Sequence, residues 1–345
     1  MLSRFKQFFR QPAVAIDLGT ARTRLSACEP GIITEKPSVV RNIRRSGRAR
    51  HPDPYIAYLN DKFVQTPLRG GVVVDVNAAV SLLKPLFSRI HKGVRKPVFL
   101  ACAPTDSSDR ERQRLMEAIC KAGAAKGAVI PEPLAAAVGA GMDPAKPSAQ
   151  MLVDIGEGVT DMAVFREGRI IFSAALRTAC SDIHKALRTA TVARHRVLPY
   201  PAEVERMTHA MGSSGRSTQA STENSLSVRG MDIVKGVEVD IEVSNDEIIQ
   251  AMGPVIARIL NLITLGLKRM PEDIDREISL AGICLTGGGS CINGLDRLLA
   301  LETGHDIWVP PDPMRTVING AVQILRNMKE MESWWETINW PQPSI

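Results

Sequence analysis

The amino-acid sequence predicts an α/β protein built from two related halves. Apolar strands alternate with helical patterns along the chain, which is typical of the α/β class. An apolar strand followed by an aspartate, a glycine-containing turn and a second strand occurs twice, at Asp17 and at Asp154. The length of 345 residues corresponds to roughly two domains of ordinary size. Together these observations indicate a duplicated α/β architecture.

The first half begins with a short strand, a turn at 18–20 and a second strand. Residues 31–69 are basic, rich in proline and predicted to be irregular, as in a small inserted subdomain. Pro85 is expected to kink the helix predicted over Ala78–His91 or to delay its start. Ser108 and Glu111 have the spacing of a capping box, which marks the start of the next helix. The predicted strands are Ala13–Ile16, Arg24–Cys28, Val72–Val76 and Pro97–Ala103, and the predicted helices are Ala78–His91, Asp106–Ala122 and an alanine-rich helix after Pro131-Glu132-Pro133.

The second half repeats this opening with strands at Met151–Val153 and Asp161–Phe165. Residues 212–230 are dense in Ser, Thr and Gly and resemble a linker. Ser244 and Glu247 form a second capping-box pattern, which predicts a helix from there to about Lys268.

Composition excludes several classes of protein. A hydrophobic fraction of 44% and a charged fraction of 23% are those of a folded chain. The longest apolar runs, such as 134–142, are shorter than the roughly 20 residues of a membrane span, so an integral membrane protein is not expected. The six cysteines include no C-x-x-C pair, which favours reduced thiols over a zinc site or a disulfide framework.

The net charge of +6 is spread along the chain apart from a cluster of five arginines within residues 41–50. Such a cluster is usually a solvated loop, and no aromatic residues are interleaved with it, so nucleic-acid binding is not expected. Anionic lipid or an acidic partner surface remains open for this cluster.

The first ten residues predict a membrane-binding segment. On a helix, the apolar side chains of Leu2, Phe5, Phe8 and Phe9 fall within an arc of about 120°, flanked by basic residues. This pattern suits insertion into the surface of an anionic bilayer and is too short and too charged for a signal peptide. The alternative is an ordinary helix docked on the body, or a frayed end. Because a few such residues bind weakly, a polymer would attach more firmly than a monomer.

The last fifteen residues, 331–345, contain three of the four tryptophans, at 334, 335 and 340. One interpretation is a strand or loop packed against the body. The other is an exposed anchor for a partner or for the membrane interface. The sequence does not decide between them.

Three glycine-containing turns that follow apolar strands are candidate phosphate-binding loops: Asp17–Thr23, Asp154–Asp161 and Leu285–Ser290. Glycine lets backbone N–H groups approach phosphate oxygens without interference from a Cβ atom. An aspartate at the end of each of the first two strands can hold the water ligands of Mg²⁺. The first two turns would clasp phosphates from opposite sides, and the third would lie beneath the base or ribose.

The order of these motifs resembles the MreB family of bacterial actins, within the superfamily of actin, sugar kinases and heat-shock chaperone ATPases. Residues 16–21 (I-D-L-G-T-A) are similar to the first phosphate loop of that family, and residues 131–141 to its catalytic-glutamate segment. Residues 153–156 open the second phosphate loop, and residues 282–290 (G-I-C-L-T-G-G-G-S) resemble the adenosine motif. The resemblance extends to about Lys329.

The resemblance implies an actin fold with two lobes around a nucleotide cleft, binding of ATP with Mg²⁺, and filaments beneath the inner membrane that guide cell-wall elongation and cell shape. It places 11–145 plus about 318–330 in the first lobe, with 31–69 inserted, and 146–317 in the second, with 183–243 inserted. Glu132 would orient the attacking water. Contacts to nucleotide would come from Asp17, Gly19, Thr20, Ala21, Asp154, Gly156, Gly158, Glu205, Gly287, Gly288 and Gly289, with Asp17 and Asp154 holding Mg²⁺ through water.

Several positions depart from the family pattern. Glu157 replaces a glycine and Val159 a threonine in the second phosphate loop, Thr208 replaces a lysine after Glu205, and residues 179–182 (A-C-S-D) replace Gly-Gly-Asp. Valine cannot position water, and a carboxylate facing a triphosphate would repel it unless it turns outward or works through Mg²⁺. Hydrolysis is therefore expected to be weak or absent.

Three functions remain as alternatives. The first is a membrane-associated filament protein that uses nucleotide, with wall-synthesis proteins and itself as partners. The second is a degenerate paralogue that acts as a scaffold or filament modulator with little hydrolysis. The third is a sugar kinase, which would need a catalytic aspartate for the sugar hydroxyl, and the sequence offers no convincing candidate.

Overall fold

The fold, examined in a computed structural model, is described for residues 12–27, 33–41, 64–90, 95–210 and 225–327. Two five-stranded sheets form its centre. The first has the order β3-β2-β1-β8-β9, in which β1 pairs antiparallel with β2 and parallel with β8. Its strands are β1 (Ala13–Leu18), β2 (Arg22–Ala27), β3 (Ile33–Pro37), β8 (Val98–Ala103) and β9 (Gly127–Pro131).

The second sheet has the same topology in the order β12-β11-β10-β16-β17. Its central strand β10 again pairs antiparallel with the next strand and parallel with a strand that follows a long crossover. The strands are β10 (Gln150–Ile155), β11 (Thr160–Arg166), β12 (Arg169–Leu176), β16 (Ile283–Thr286) and β17 (Ile307–Trp308). The shared order is what a duplicated half predicts.

Smaller strand groups accompany the two central sheets. Three strands, β13 (Val197–Pro199), β14 (Ser225–Asp232) and β15 (Glu238–Ser244), form an antiparallel sheet within residues 183–244. Two short pairs consist of β4 (Val40–Arg41) with β5 (Val64–Gln65), and β6 (Leu68–Arg69) with β7 (Val72–Val73).

Nine helices within the described residues cover the sheets and divide the core into three layers. One layer lies between the first sheet and α1 and α2, and a second between the second sheet and the helices that follow it. The third contains residues of both sheets together with α3 and α9. The helices are α1 (Val76–Ile90), α2 (Asp109–Ala122), α3 (Glu132–Gly139), α4 (Cys180–His195), α5 (Pro201–Ala210), α6 (Asn245–Leu267), α7 (Glu272–Ala281), α8 (Leu295–Thr303) and α9 (Thr316–Arg326).

Helices α3 and α9 cross at two glycines. A Cβ atom on Gly139 would stand 2.7 Å from the amide nitrogen of Gly320 and would overlap the carbonyl oxygen of Thr316. A Cβ atom on Gly320 would overlap the carbonyl oxygen of Ala135. Because both positions lack a side chain, the two helix backbones touch directly beneath the junction of the sheets.

Several predicted elements are confirmed. Both capping boxes are formed: the Ser108 and Ser244 hydroxyls accept from the amides of Glu111 and Glu247, and each glutamate accepts from the backbone of its serine. These two contacts start α2 and α6. Helix α6 ends at Leu267, close to its predicted end.

Other predictions are wrong in detail. Residues 33–37 were expected to be irregular but form β3, the edge strand of the first sheet. The strand expected over 72–76 ends at Val73, and α1 begins at Val76 and continues through Pro85, so that proline does not delay its start. The linker-like stretch ends by Ser225, where β14 begins.

Helix α6 is long and apolar enough to span a membrane by length and composition, which the sequence analysis did not anticipate. One side of it, including Ile248, Met252 and Ile259, is buried in the core of the second sheet. The same length and composition occur in core helices of soluble proteins, so this feature is weak evidence for a span. The predicted membrane segment 1–10 and the tryptophan-rich tail 331–345 lie outside the described residues.

The five cysteines described are free. Cys102, Cys180 and Cys284 are buried. Cys28 lies outside the described residues.

Candidate functional site

The carboxyl ends of the central strands in both sheets converge on one acidic cleft. Asp17 ends β1, Glu132 follows β9, and Asp154 and Asp161 lie on the β10–β11 hairpin. Burial and the charges of Asp154, Asp17 and Asp161 together raise the pKa of Glu132 well above its usual range. In α/β folds, the crevice outside the carboxyl ends of strands is where ligands bind.

The first hairpin is closed by short hydrogen bonds around Gly19. The Gly19 amide donates to the carbonyl of Arg22 at 3.2 Å, and a Cβ atom on Gly19 would lie 2.9 Å from that oxygen. The hydroxyl of Ser38 donates to the Gly19 carbonyl at 2.6 Å, and the Ser38 amide donates to the Ala21 carbonyl at 2.9 Å. The hydroxyl of Thr20 accepts from the Gly71 amide at 3.0 Å. These bonds fix the loop before any ligand binds.

The second hairpin is built in the same way and touches the first. The Gly156 amide donates to the Val159 carbonyl at 3.0 Å, which closes the turn. A Cβ atom on Gly158 would stand 2.5 Å from the hydroxyl oxygen of Thr20. Val159 is buried, and its methyl group lies 3.1 Å from the position that a Cβ atom on Gly71 would take. The two hairpins therefore face each other at contact distance.

Asp17 is held by an arginine. Arg24, its cross-strand neighbour, donates from Nη1 to Asp17 Oδ2 at 3.0 Å and from Nε to Glu35 Oε2 at 3.2 Å. Burial raises the pKa of Asp17, and the Arg24 guanidinium opposes that rise. Arg24 was not among the site residues predicted from the sequence.

The two aspartates of the second hairpin are held by hydroxyl groups. Thr286 donates to Asp154 Oδ1 at 3.0 Å, while burial raises the pKa of Asp154 to about 6. Thr105 donates to Asp161 from its amide at 2.7 Å and from its hydroxyl at 2.5 Å. Burial nevertheless raises the pKa of Asp161 to about 8. Thr105 follows β8, so its bonds to Asp161 also join the two sheets across the cleft.

Glu132 begins α3 directly after β9, between two prolines. Its side chain is half-buried, and among the described residues none donates a hydrogen bond to it. The carboxylate is therefore open to a hydrogen bond from a ligand or from water.

The turn after β16 lies against the end of β10. Gly287 has a φ of +81°, and a Cβ atom there would overlap the Asp154 carboxylate and the Ile155 carbonyl. A Cβ atom on Gly289 would overlap the Ile155 side chain, whereas Gly288 faces open space. Only a glycine at position 287 allows the turn to lie this close to the end of β10.

Glu205 is an exposed residue of α5. The ring of His209, one helical turn further along, lies with Nδ1 2.9 Å from the Cys291 carbonyl, and Asn293 donates to the His209 carbonyl. Residues four apart share a helix face, so Glu205 lies on the same side of α5 as His209. Thr208 is buried and its hydroxyl donates to the Val204 carbonyl within the helix.

The departures in the second loop have local explanations. The Glu157 carboxylate lies 3.4 Å from Nδ1 of His184 on α4. Asp182 accepts from the Ala179 amide and caps α4 in place of the expected glycine turn. These contacts explain how the loop keeps its shape without the usual glycines.

The residues fit a Mg²⁺ ion held through water. Within the described part of the chain no group of three or more His, Cys, Asp and Glu side chains is arranged to hold a metal directly. Mg²⁺ keeps several waters and usually binds through one or two carboxylates and substrate phosphates. Asp17 and Asp154 supply two carboxylates on opposite sides of the cleft, and Asp17 Oδ2 also accepts from Arg24.

Sequence reasoning missed Arg24, Ser38, Gly71 and Thr105, which support the loops rather than form them. Thr105 could have been found, because it follows the carboxyl end of a buried strand as the other site residues do. Arg24 sits opposite Asp17 only through the β1–β2 register, which a hairpin with a defined turn length specifies.

Two sheets of identical topology, with aspartate-led hairpins facing each other across a cleft, define an actin-like fold. A family model for MreB/Mbl protein matches residues 11–333. The chain belongs to the MreB/Mbl family, and the predicted fold and family are confirmed.

Known relatives and solved structures are similar over nearly the whole chain. Cell shape-determining protein MreB of Escherichia coli (strain K12) is 30% identical over 339 residues, covering 94% of this chain and 96% of the relative. Mbl of Bacillus subtilis (strain 168) is 30% identical over 332 residues, covering 92% of this chain and 97% of the relative.

The crystal structure of MreB5 of Spiroplasma citri bound to AMPPNP has a TM-score of 0.83 at 25% identity, covering 94% of this chain and 98% of that chain. A MamK double helical filament, at 19% identity and a TM-score of 0.73, covers 91% of this chain and 98% of that chain and supports the fold alone.

Proposed function

We propose that this chain binds ATP with Mg²⁺ in the acidic cleft and assembles into membrane-attached filaments that direct cell shape and wall elongation. The observation that carries the proposal is the meeting of the two aspartate-led hairpins, with Gly158 against Thr20. Family membership and the nucleotide in the S. citri MreB5 structures support the same ligand.

In this proposal the two hairpins hold the phosphates. Gly19, Thr20 and Ala21 would supply backbone N–H groups from one side, and Gly156 and Gly158 from the other. Mg²⁺, held through water by Asp17 and Asp154, would neutralise part of the phosphate charge. The bonds from Ser38 and to Thr20 give the first loop its shape in advance, which lowers the entropy lost on binding.

The nucleoside would lie over the glycine turn at Gly287, Gly288 and Gly289. Gly288 faces open space, and Glu205 lies on the same side of α5 as His209, which contacts the Cys291 carbonyl just after the turn. This arrangement supports a contact of Glu205 with the ribose or base.

Glu132 is the residue proposed to orient the attacking water. Its carboxylate has no donor among the described residues, so it is available as an acceptor. Its raised pKa means that it must lose its proton to act as a base, which a bound cation would favour. Val159 has no hydroxyl group that could hold the attacking water from a second side, so we propose that ATP hydrolysis is slow.

Membrane attachment and self-assembly rest on the sequence and the family. The segment with Leu2, Phe5, Phe8 and Phe9 is proposed to bind the inner face of the cell membrane, with the cell-wall elongation machinery as a further partner. The division into two lobes with inserted subdomains at 31–69 and 183–243 is part of the same proposal.

The test is a titration of full-length protein with a fluorescent ATP analogue, followed by sedimentation with anionic liposomes. Saturable binding, loss of binding in Asp154→Lys, and pelleting that requires residues 1–10 are expected. Gly253→Ala is a matched control because a Cβ atom there meets nothing within 4 Å. Failure to bind nucleotide would overturn the central proposal.

A second candidate is a scaffold or filament modulator that binds ATP with little hydrolysis. Val159, buried against Gly71 in place of the water-positioning threonine, favours it. Phosphate release should rise at least about tenfold in Val159→Thr and fall again when Glu132→Gln is added. Brisk release by the unchanged protein would exclude this candidate.

A further inference from the structure

Arg24 places a permanent positive charge inside the acidic cleft. Its side chain is 11% exposed and bridges Asp17 and Glu35, at 3.0 Å and 3.2 Å. Glu35 is also 2.8 Å from Arg22 and 3.7 Å from Arg315. The guanidinium is therefore fixed from both sides, with one edge on the carboxylate at the end of β1.

The charge of Arg24 acts on both aspartates that would face Mg²⁺. Its guanidinium donates to Asp17 at 3.0 Å, and its charge also reaches Asp154 on the second hairpin. An arginine does not lose its proton in a protein, so this charge is present at every working pH.

The equivalent position in the second half carries the opposite charge. Arg24 is the cross-strand partner of Asp17, and Asp161 is the cross-strand partner of Asp154. Since the two hairpins share one topology, the cation is specific to the first hairpin and not a feature of the repeated unit.

A triphosphate entering a cleft with several carboxylates needs cations beside it. Mg²⁺ is such a cation when carboxylates are free to hold its water ligands. Here one oxygen of Asp17 is already engaged by a guanidinium, which competes with the waters of a metal for the same carboxylate.

We propose that Arg24 is a resident counter-cation of the phosphate-binding cleft, so that this chain binds adenine nucleotide with little dependence on Mg²⁺. The inference rests on the proposed nucleotide binding at the same site. It assigns to Arg24 a positioning role that a metal ion otherwise fills.

The test compares the affinity of full-length protein for a fluorescent ATP analogue in excess Mg²⁺ and in excess EDTA. The unchanged protein should differ by less than about threefold between the two buffers, and Arg24→Met by at least about tenfold. Arg24→Lys, which keeps the charge, should stay near the unchanged protein. Arg22→Met is the matched control, because Arg22 also contacts Glu35 but is 55% exposed and does not contact Asp17.

A second readout is direct metal binding. Mn²⁺ titrated into the protein with ADP and followed by electron paramagnetic resonance should bind at least about tenfold more tightly to Arg24→Met than to Arg22→Met. Thermal unfolding of each variant shows that it is folded. If Arg24→Met does not fold, the two-buffer comparison of the unchanged protein decides alone.

Two results would overturn the inference. A loss of affinity above about thirtyfold in EDTA for the unchanged protein would remove the role of Arg24 and leave nucleotide binding intact. Absence of binding in both buffers would overturn the proposed function itself, and this inference with it.

Discussion

A substitution at the crossing of α3 and α9 should destabilise the whole fold. In Gly320→Ala the new methyl group would overlap the Ala135 carbonyl oxygen and stand 2.7 Å from the Gly139 nitrogen. Atoms at optimal van der Waals separation are about 3.5 Å apart, so the helices must move apart by roughly 0.8 Å or more. Both neighbours are backbone atoms, which cannot rotate away as a side chain can.

The magnitude follows from two opposing effects. Overpacking of a close-packed interface costs about 1–3 kcal/mol and sometimes more. Alanine gains up to about 1 kcal/mol over glycine in a helix interior. Because the clash involves two helix backbones, we expect a net loss of about 2 kcal/mol, which lowers the melting temperature by about 3 °C at a chain length of 345 residues.

The assay is differential scanning calorimetry of Gly320→Ala beside Gly253→Ala. Gly253 is also inside a helix, but a Cβ atom there meets nothing within 4 Å, so alanine should raise the melting temperature by about 1 °C. Equal changes in the two variants would refute the argument, since helix propensity alone would then explain both.

Three further predictions concern the cleft. Arg177 bridges Asp106 and Glu111 between the two halves at 2.9 Å and 3.0 Å, and Arg177→Gln should speed nucleotide dissociation by about two- to fivefold in stopped-flow experiments. Ser38→Ala removes the buried donor of the first loop and should cost about 1–2 kcal/mol in urea unfolding. Burial raises the pKa of Asp161 to about 8, so its folded form keeps a proton that the unfolded chain has lost; stability should fall as pH rises from about 4 to 8, and Asp161→Asn should reduce that fall in calorimetry between pH 6 and 9.

Each of these predictions has a control. Arg229→Gln breaks an exposed ion pair within one β-hairpin and should leave dissociation unchanged. Ser81→Ala removes a helix-surface hydroxyl and should not destabilise the protein. Asp240→Asn is exposed and should leave the pH dependence as it is. An effect in these controls equal to that in the cleft variants would contradict the proposed origin.

Local sequence patterns were sufficient for the elements whose signals lie within a few residues. Ser108 with Glu111 and Ser244 with Glu247 define helix starts through contacts between near neighbours. The strand–aspartate–turn pattern located both hairpins. Strand β3 was missed because its partner is β2, and its own short sequence, between proline-rich and basic stretches, carries little alternation.

The supporting contacts of the site could not be predicted in the same way. The bond of Thr105 to Asp161 joins residues 56 positions apart, and that of Thr20 to Gly71 joins residues 51 apart. Such pairs depend on how the two sheets pack, which no local pattern specifies. The glycine-rich motifs indicated where a ligand would bind, and the fold determined what surrounds it.

The two hairpins show how a duplicated fold can acquire an electrostatic asymmetry. At one cross-strand position the first hairpin pairs Asp17 with Arg24, whereas the second places Asp154 opposite Asp161. Like charges directly opposite each other are destabilising. The second hairpin reduces this repulsion through the hydroxyls of Thr286 and Thr105 and through the raised pKa of Asp161, so that it presents less negative charge near neutral pH. The first hairpin reduces it with a cation. A polyanionic ligand therefore meets a fixed, largely buried positive charge on the first hairpin, which is why Arg24 should govern how strongly nucleotide binding depends on metal.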